Sequence, residues 1–176
     1  MRQLTFEKIL AAYLLFAAIL AMLLPAGFAV ENHTAIDPTF VPFAKWLRHT
    51  PGAQPLLSTY FLTLTAALPI VVSLLARHPQ GEAKFQYHVP TLSQCIGATL
   101  VALAMIGLLG VGMYGHIVID GTEQSSGGVI AHAAATSRFG LALAGPLFMA
   151  SAALVFYIAF VKLPRMWWGC KTGTFG

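Results

Sequence analysis

Four long stretches of this chain carry no Asp, Glu, Lys or Arg: Ile9–Val30, Leu56–Ala76, Leu92–Ile119 and Phe139–Val161. A hydrocarbon core of about 30 Å is crossed by roughly 20 helical residues. Each stretch is long enough. They are continuously apolar and lack the period-two alternation of a barrel strand. Inside a bilayer the backbone must pair with itself, which leaves helices or closed barrels. The prediction is therefore an all-α fold, an integral membrane four-helix bundle, with residues 1–176 forming a single membrane domain.

Composition agrees. The chain is 57% hydrophobic and 9% charged, with a mean hydropathy of +0.75. Soluble domains are about a quarter charged. So few charges cannot coat a water-facing surface, which argues against a soluble enzyme, a disordered chain or a nucleic-acid binder. The pI of about 9.3 reflects ten Lys and Arg against six Asp and Glu, and their positions matter more than their number.

Those positions set an expected orientation. Arg2, Lys8, Arg77, Lys84, Lys162, Arg165 and Lys171 fall on one side of a four-span topology. Lys45, Arg48 and Arg138 fall on the other. The positive-inside rule then places both termini in the cytoplasm. Phe156, Tyr157, Phe160, Trp167 and Trp168 read as inner interfacial anchors, and Trp46, Tyr60, Tyr114 and Phe139 as outer ones. The first run has a rival reading as a secretory signal, with Arg2 and Lys8 before it and Gly27-Phe28-Ala29 after it. Its apolar stretch is longer than a signal core, so a retained span is expected. Cys95 and Cys170 would both face the reducing side, and no structural disulfide is expected.

The connections carry local signals. In the first outer loop, Asp37-Pro38 is a helix start, and Phe43, Trp46 and Leu47 share one face while Lys45 and Arg48 point away. This predicts a short interfacial helix lying on the membrane surface. Pro79 and Gly81 break the inner connection. Beyond the third span, the residues around Gly127-Gly128 could return as a strand. An early helix start near Val129 is preferred, because Ala133, Ala134 and Ala135 are strong helix formers. It would hold His132 and Arg138 above the bilayer.

Helices in lipid associate by close packing and scarce polar contacts. Gly97, Gly107, Gly110, Gly112 and Gly115 thin the third span, Gly140, Ala144 and Gly145 the fourth, and Ala17 and Ala21 the first. Ordinary packing within the bundle is the expected use of all of them. Pro25, Pro69 and Pro146 are placed to kink three helices. Ser58, Thr59, Thr63, Thr65 and Ser73 make the second helix the richest in hydroxyls, suiting the bundle interior or a contact surface.

Chemistry-bearing residues are sparse. Ion-coupled transporters and voltage sensors keep ionisable groups at mid-membrane, and these four cores contain no Asp, Glu, Lys or Arg. His116 is the one histidine in a run and lies near its edge. No two histidines stand four residues apart as metal ligands on a helix would. No nucleophile motif is present. The expectation is a protein with no enzymatic activity, no cofactor and no metal.

The tail, Phe160-Val161-Lys162-Leu163-Pro164-Arg165, is apolar and then basic. In this ending and in its layout (four spans, both termini inside, a long first outer loop) the chain is similar to the immunity proteins that protect bacteria against pore-forming colicins of the colicin A type. The resemblance covers the whole chain. It implies a multi-pass protein of the bacterial inner membrane, surrounded by lipid, that binds the inserted apolar hairpin of a pore-forming toxin and blocks its opening. Contact surfaces expected on residue type are Ser58 and Thr63 of the second span, Gly107 and Gly110 of the third, and the outer residues Trp46, Arg48, Asp120, Glu123 and Arg138. The alternative expectation is a small accessory or assembly subunit of a larger inner-membrane complex, such as a respiratory one.

Overall fold

The computed structural model describes residues 5–25, 52, 54–77, 90–114 and 126–172. Its elements are α1 (Phe6–Leu23), α2 (Leu56–Arg77), α3 (Leu92–Tyr114), α4 (Ser126–Thr136), α5 (Arg138–Tyr157), a π-helical turn (Ile158–Lys162) and α6 (Leu163–Thr172). No strand occurs among the described residues. Four helices are long and apolar enough to cross a membrane: α1, α2, α3 and the continuous Arg138–Lys171 segment. The expected interfacial helix of the first loop lies outside the described residues.

The spans alternate in direction. Phe6 meets Tyr157 edge-on at 5.3 Å, while Arg138 Nη1 donates to the Met22 carbonyl at 3.2 Å, so α1 and α5 run antiparallel. Ala17 and Ala21 are fully buried in α1. Small side chains there let neighbouring helices approach α1 closely, as the sequence suggested. Tyr13 donates its hydroxyl to the Leu64 carbonyl at 3.1 Å, joining α1 to α2. Phe61 packs edge-on against Phe148, joining α2 to α5. These contacts surround a core that includes Leu56, Leu57, Tyr60, Leu64, Leu141 and Met149.

The helix ends differ from the expected spans for identifiable reasons. α1 begins at Phe6 and stops at Leu23, short of Val30. Leu24 is extended at ψ 120° because it precedes Pro25, so that proline ends the helix rather than kinking it. At the other terminus, Pro164 has no N–H for the Phe160 carbonyl, and its ring crowds that oxygen. The helix widens just before it, and the Leu163 N–H reaches back five residues to Ile158. The π turn thus carries the helix past a proline, and the basic tail becomes a helix packed against α3.

The early helix after the third connection is present but is not the start of the fourth span. α4 is separate, is broken from α5 at an extended Ser137, and folds back along α5. The Ser137 hydroxyl donates to the Ala133 carbonyl at 2.9 Å and accepts the Gly140 N–H at 2.9 Å, closing one helix and capping the next. A Cβ on Gly140 would collide with the Ala133 carbonyl, so the corner requires glycine there. Tyr60 also differs from expectation. It is not an interfacial anchor, since its whole side chain is buried against Gly145.

Candidate functional site

A lipid-facing helix that packs within its own bundle should use its small residues as contact points. α1 and α5 do this. α3 does not. A Cβ at Gly97, Gly107, Gly110 or Gly112 would meet nothing within 4 Å among the described residues. Gly107 and Gly110, three residues apart, share one face of α3. Leu100, Leu103 and Leu108 beside them are exposed by 60% or more. The packing expected of these glycines inside the bundle is therefore not made. α3 is held through Cys95, Ala102 and Met113, its buried residues.

Gly112 opens instead on a cleft of about 440 Å³ between four helices. Leu57 and Phe61 supply one wall, Ile130 of α4 another, and Phe148 and Ser151 of α5 the floor. Ser151 is the only hydroxyl among the described residues that line it, and it already donates to the Leu147 carbonyl at 2.8 Å. The described lining residues offer no free hydrogen-bonding side chain. It suits an apolar side chain or an acyl chain. Hydropathy alone does not reveal this cleft. The signal was present in the alanines of α4, since Ala131, Ala134 and Ala135 line it.

The contact residues singled out from sequence do not gather in one place. Ser58 is sealed in the core with no hydrogen-bond partner for its hydroxyl. Thr63 is exposed, and its hydroxyl donates to the Thr59 carbonyl of its own helix at 2.8 Å. Arg138 is at the opposite end of α5 from Tyr157, where its guanidinium takes the last turn of α1. A cation there also complements the carbonyl end of that helix. Gly107 and Gly110 lie open on α3. Trp46, Arg48, Asp120 and Glu123 lie outside the described residues, as do His33, His49 and His116.

At the Phe6 end of the bundle, α6 packs against the first turns of α3. Trp167 Nε1 donates to Thr99 Oγ1 at 3.0 Å, and Cys95 Sγ donates to the Met166 carbonyl at 3.8 Å. Arg165 Nη2 donates to the Ala76 carbonyl at 3.4 Å, so α6 also closes over the end of α2. Trp168 and Phe160 are left 68% and 64% exposed, whereas Tyr157, expected from sequence as an anchor beside them, is buried in the core.

Among the described residues, no group of three or more His, Cys, Asp or Glu side chains is placed to hold a metal ion. Comparison of the chain with protein-family models, curated proteins and solved structures finds no significant match.

Proposed function

We propose that this protein is an immunity protein of the bacterial inner membrane, which binds the inserted apolar hairpin of a pore-forming toxin and holds the pore closed. The observation that carries the reading is the open glycine face of α3. Glycine weakens a helix by about 1 kcal/mol relative to alanine. Among the described residues, Gly107 and Gly110 gain no close contact to offset that cost. A second helix lying on this face would approach it closely, as the bundle does at the buried Ala17 and Ala21 of α1. Close backbone approach is the main source of helix association in lipid. The neighbouring apolar cleft supplies a recess for a large side chain of the same partner.

Recognition of this kind takes place within the bilayer and requires no reacting group. The described acidic and basic side chains fit that picture, because Glu7, Lys8, Arg77, Arg138, Lys162, Arg165 and Lys171 all lie outside the four uncharged runs. The excess of Lys and Arg at the Phe6 end supports a cytoplasmic location for both termini.

The test is expression of the chain in cells sensitive to a pore-forming toxin encoded beside it, followed by challenge. Survival with an intact membrane potential supports immunity. Killing at the rate of control cells, together with co-purification of the chain with a respiratory complex, would favour the accessory-subunit reading instead.

A further inference from the structure

The two cysteines are 75 positions apart in sequence, yet the fold places them side by side. Cys95 is on the first turn of α3 and is completely buried. Cys170 is on α6 and is partly exposed. The hydrogen bond from Cys95 Sγ to the Met166 carbonyl sets Cys95 against the helical turn that carries Cys170, four residues further on. The Trp167–Thr99 bond holds the same two turns together, with Thr99 four residues after Cys95 and Trp167 three before Cys170. The Met166 carbonyl that Cys95 meets is the one four residues before Cys170 on the same helical turn, and both thiols are free. No other cysteine is present in the chain.

We propose that Cys95 and Cys170 form a reversible dithiol–disulfide site that latches α6 to α3. The oxidant is a small-molecule disulfide. Cys170, the accessible member, loses its proton and attacks one sulfur of that disulfide, releasing one thiolate and leaving a mixed disulfide on the protein. Cys95 then loses its proton and attacks Cys170 Sγ, forming the internal bond and releasing the second thiolate. The protein gives up two electrons and two protons, and the small disulfide becomes two thiols. Burial of Cys95 assigns the order, since only Cys170 can meet the oxidant first. The bond would join the helix with the open glycine face to the helix that closes over α2. The proposal stands independently of the immunity reading.

The experiment uses the whole protein in lipid nanodiscs, treated with oxidised glutathione. The intact mass should fall by two hydrogens, and one peptide pair should link Cys95 to Cys170. Maleimide labelling of Cys170 should fall about tenfold and return on reduction. The Cys95→Ser variant, lacking the second nucleophile, should stop at a stable glutathione adduct on Cys170. If that variant does not fold, the unaltered protein is treated with a trivalent arsenical, which bridges two thiols only when they are adjacent. One arsenic per chain, blocking both cysteines, is the expected result. A stable glutathione adduct on the unaltered protein, a disulfide between two chains, or failure to take up the arsenical would overturn the proposal.

Discussion

The Tyr60 ring lies across Gly145 so closely that a methyl group there would sit 2.6 Å from the phenolic oxygen. This contact sets the spacing of α2 and α5 in the middle of the fold. Gly145→Ala forces the two helices apart, because ring atoms Cε1 and Cζ would be only 2.8 and 3.0 Å away. The expected loss is about 1–3 kcal/mol, the usual cost of overpacking. Unfolding in mixed micelles with increasing SDS, followed by tryptophan fluorescence, measures it. Truncating the ring in the Gly145→Ala background, as Tyr60→Leu, should recover part of that loss.

The two core tyrosines should respond differently to losing their hydroxyls. Tyr13 Oη has a partner in the Leu64 carbonyl, whereas Tyr60 Oη is buried with none among the described residues. Tyr13→Phe should therefore cost about 0.5–1.5 kcal/mol, the net worth of a hydrogen bond. Tyr60→Phe should be neutral or stabilising, since it removes a polar atom with no compensating bond. The same SDS titration compares them, and equal losses would contradict the hydrogen-bond assignment.

The α4–α5 corner depends on Ser137 and Gly140 together. Ser137→Ala removes the cap and should cost about 0.5–2 kcal/mol. Gly140→Ala should cost more, because its Cβ meets a backbone carbonyl that has no rotamer to yield. Hydrogen exchange should show the effect locally, as faster exchange in the first turn of α5 than in α2.

Glycines that look alike in sequence should differ sharply in mutagenesis. Gly107→Leu and Gly110→Leu meet open space and remove a helix penalty of about 1 kcal/mol each. Stability should hold or rise in the SDS titration. Protection against the toxin should fall, because a leucine on that face keeps a second helix from close approach. A stability loss as large as that of Gly145→Ala would show that the α3 face is already occupied within the fold.

Much of this fold is legible from hydropathy alone, since a run such as Leu56–Ala76 without a charge leaves a helix as the simplest solution in lipid. The start of α2 at Leu56 and the burial of Ala17 and Ala21 follow from length and residue size. What could not be read is which small residues face one another. Gly140, Gly145 and Gly107 have the same chemistry, and only the helix rotation separates a corner, a ring contact and an open face. Pro25, Pro69 and Pro164 likewise end a helix, sit within one and widen one, according to what the neighbouring carbonyls can reach. The Cys95–Cys170 pairing was hidden because the tail continues as a helix beyond the π turn, which composition does not signal.

The most direct measurement is photo-crosslinking from α3 in the membrane of toxin-challenged cells. A photoreactive residue replaces Leu103, one turn from Gly107 and exposed by 60%, or Ile70 of α2, exposed by 65%, as the control. The account expects Leu103 to capture the apolar hairpin of the toxin and Ile70 to capture only lipid. Protection by the chain with no toxin cross-link from Leu103, or equal capture from both positions, would contradict it.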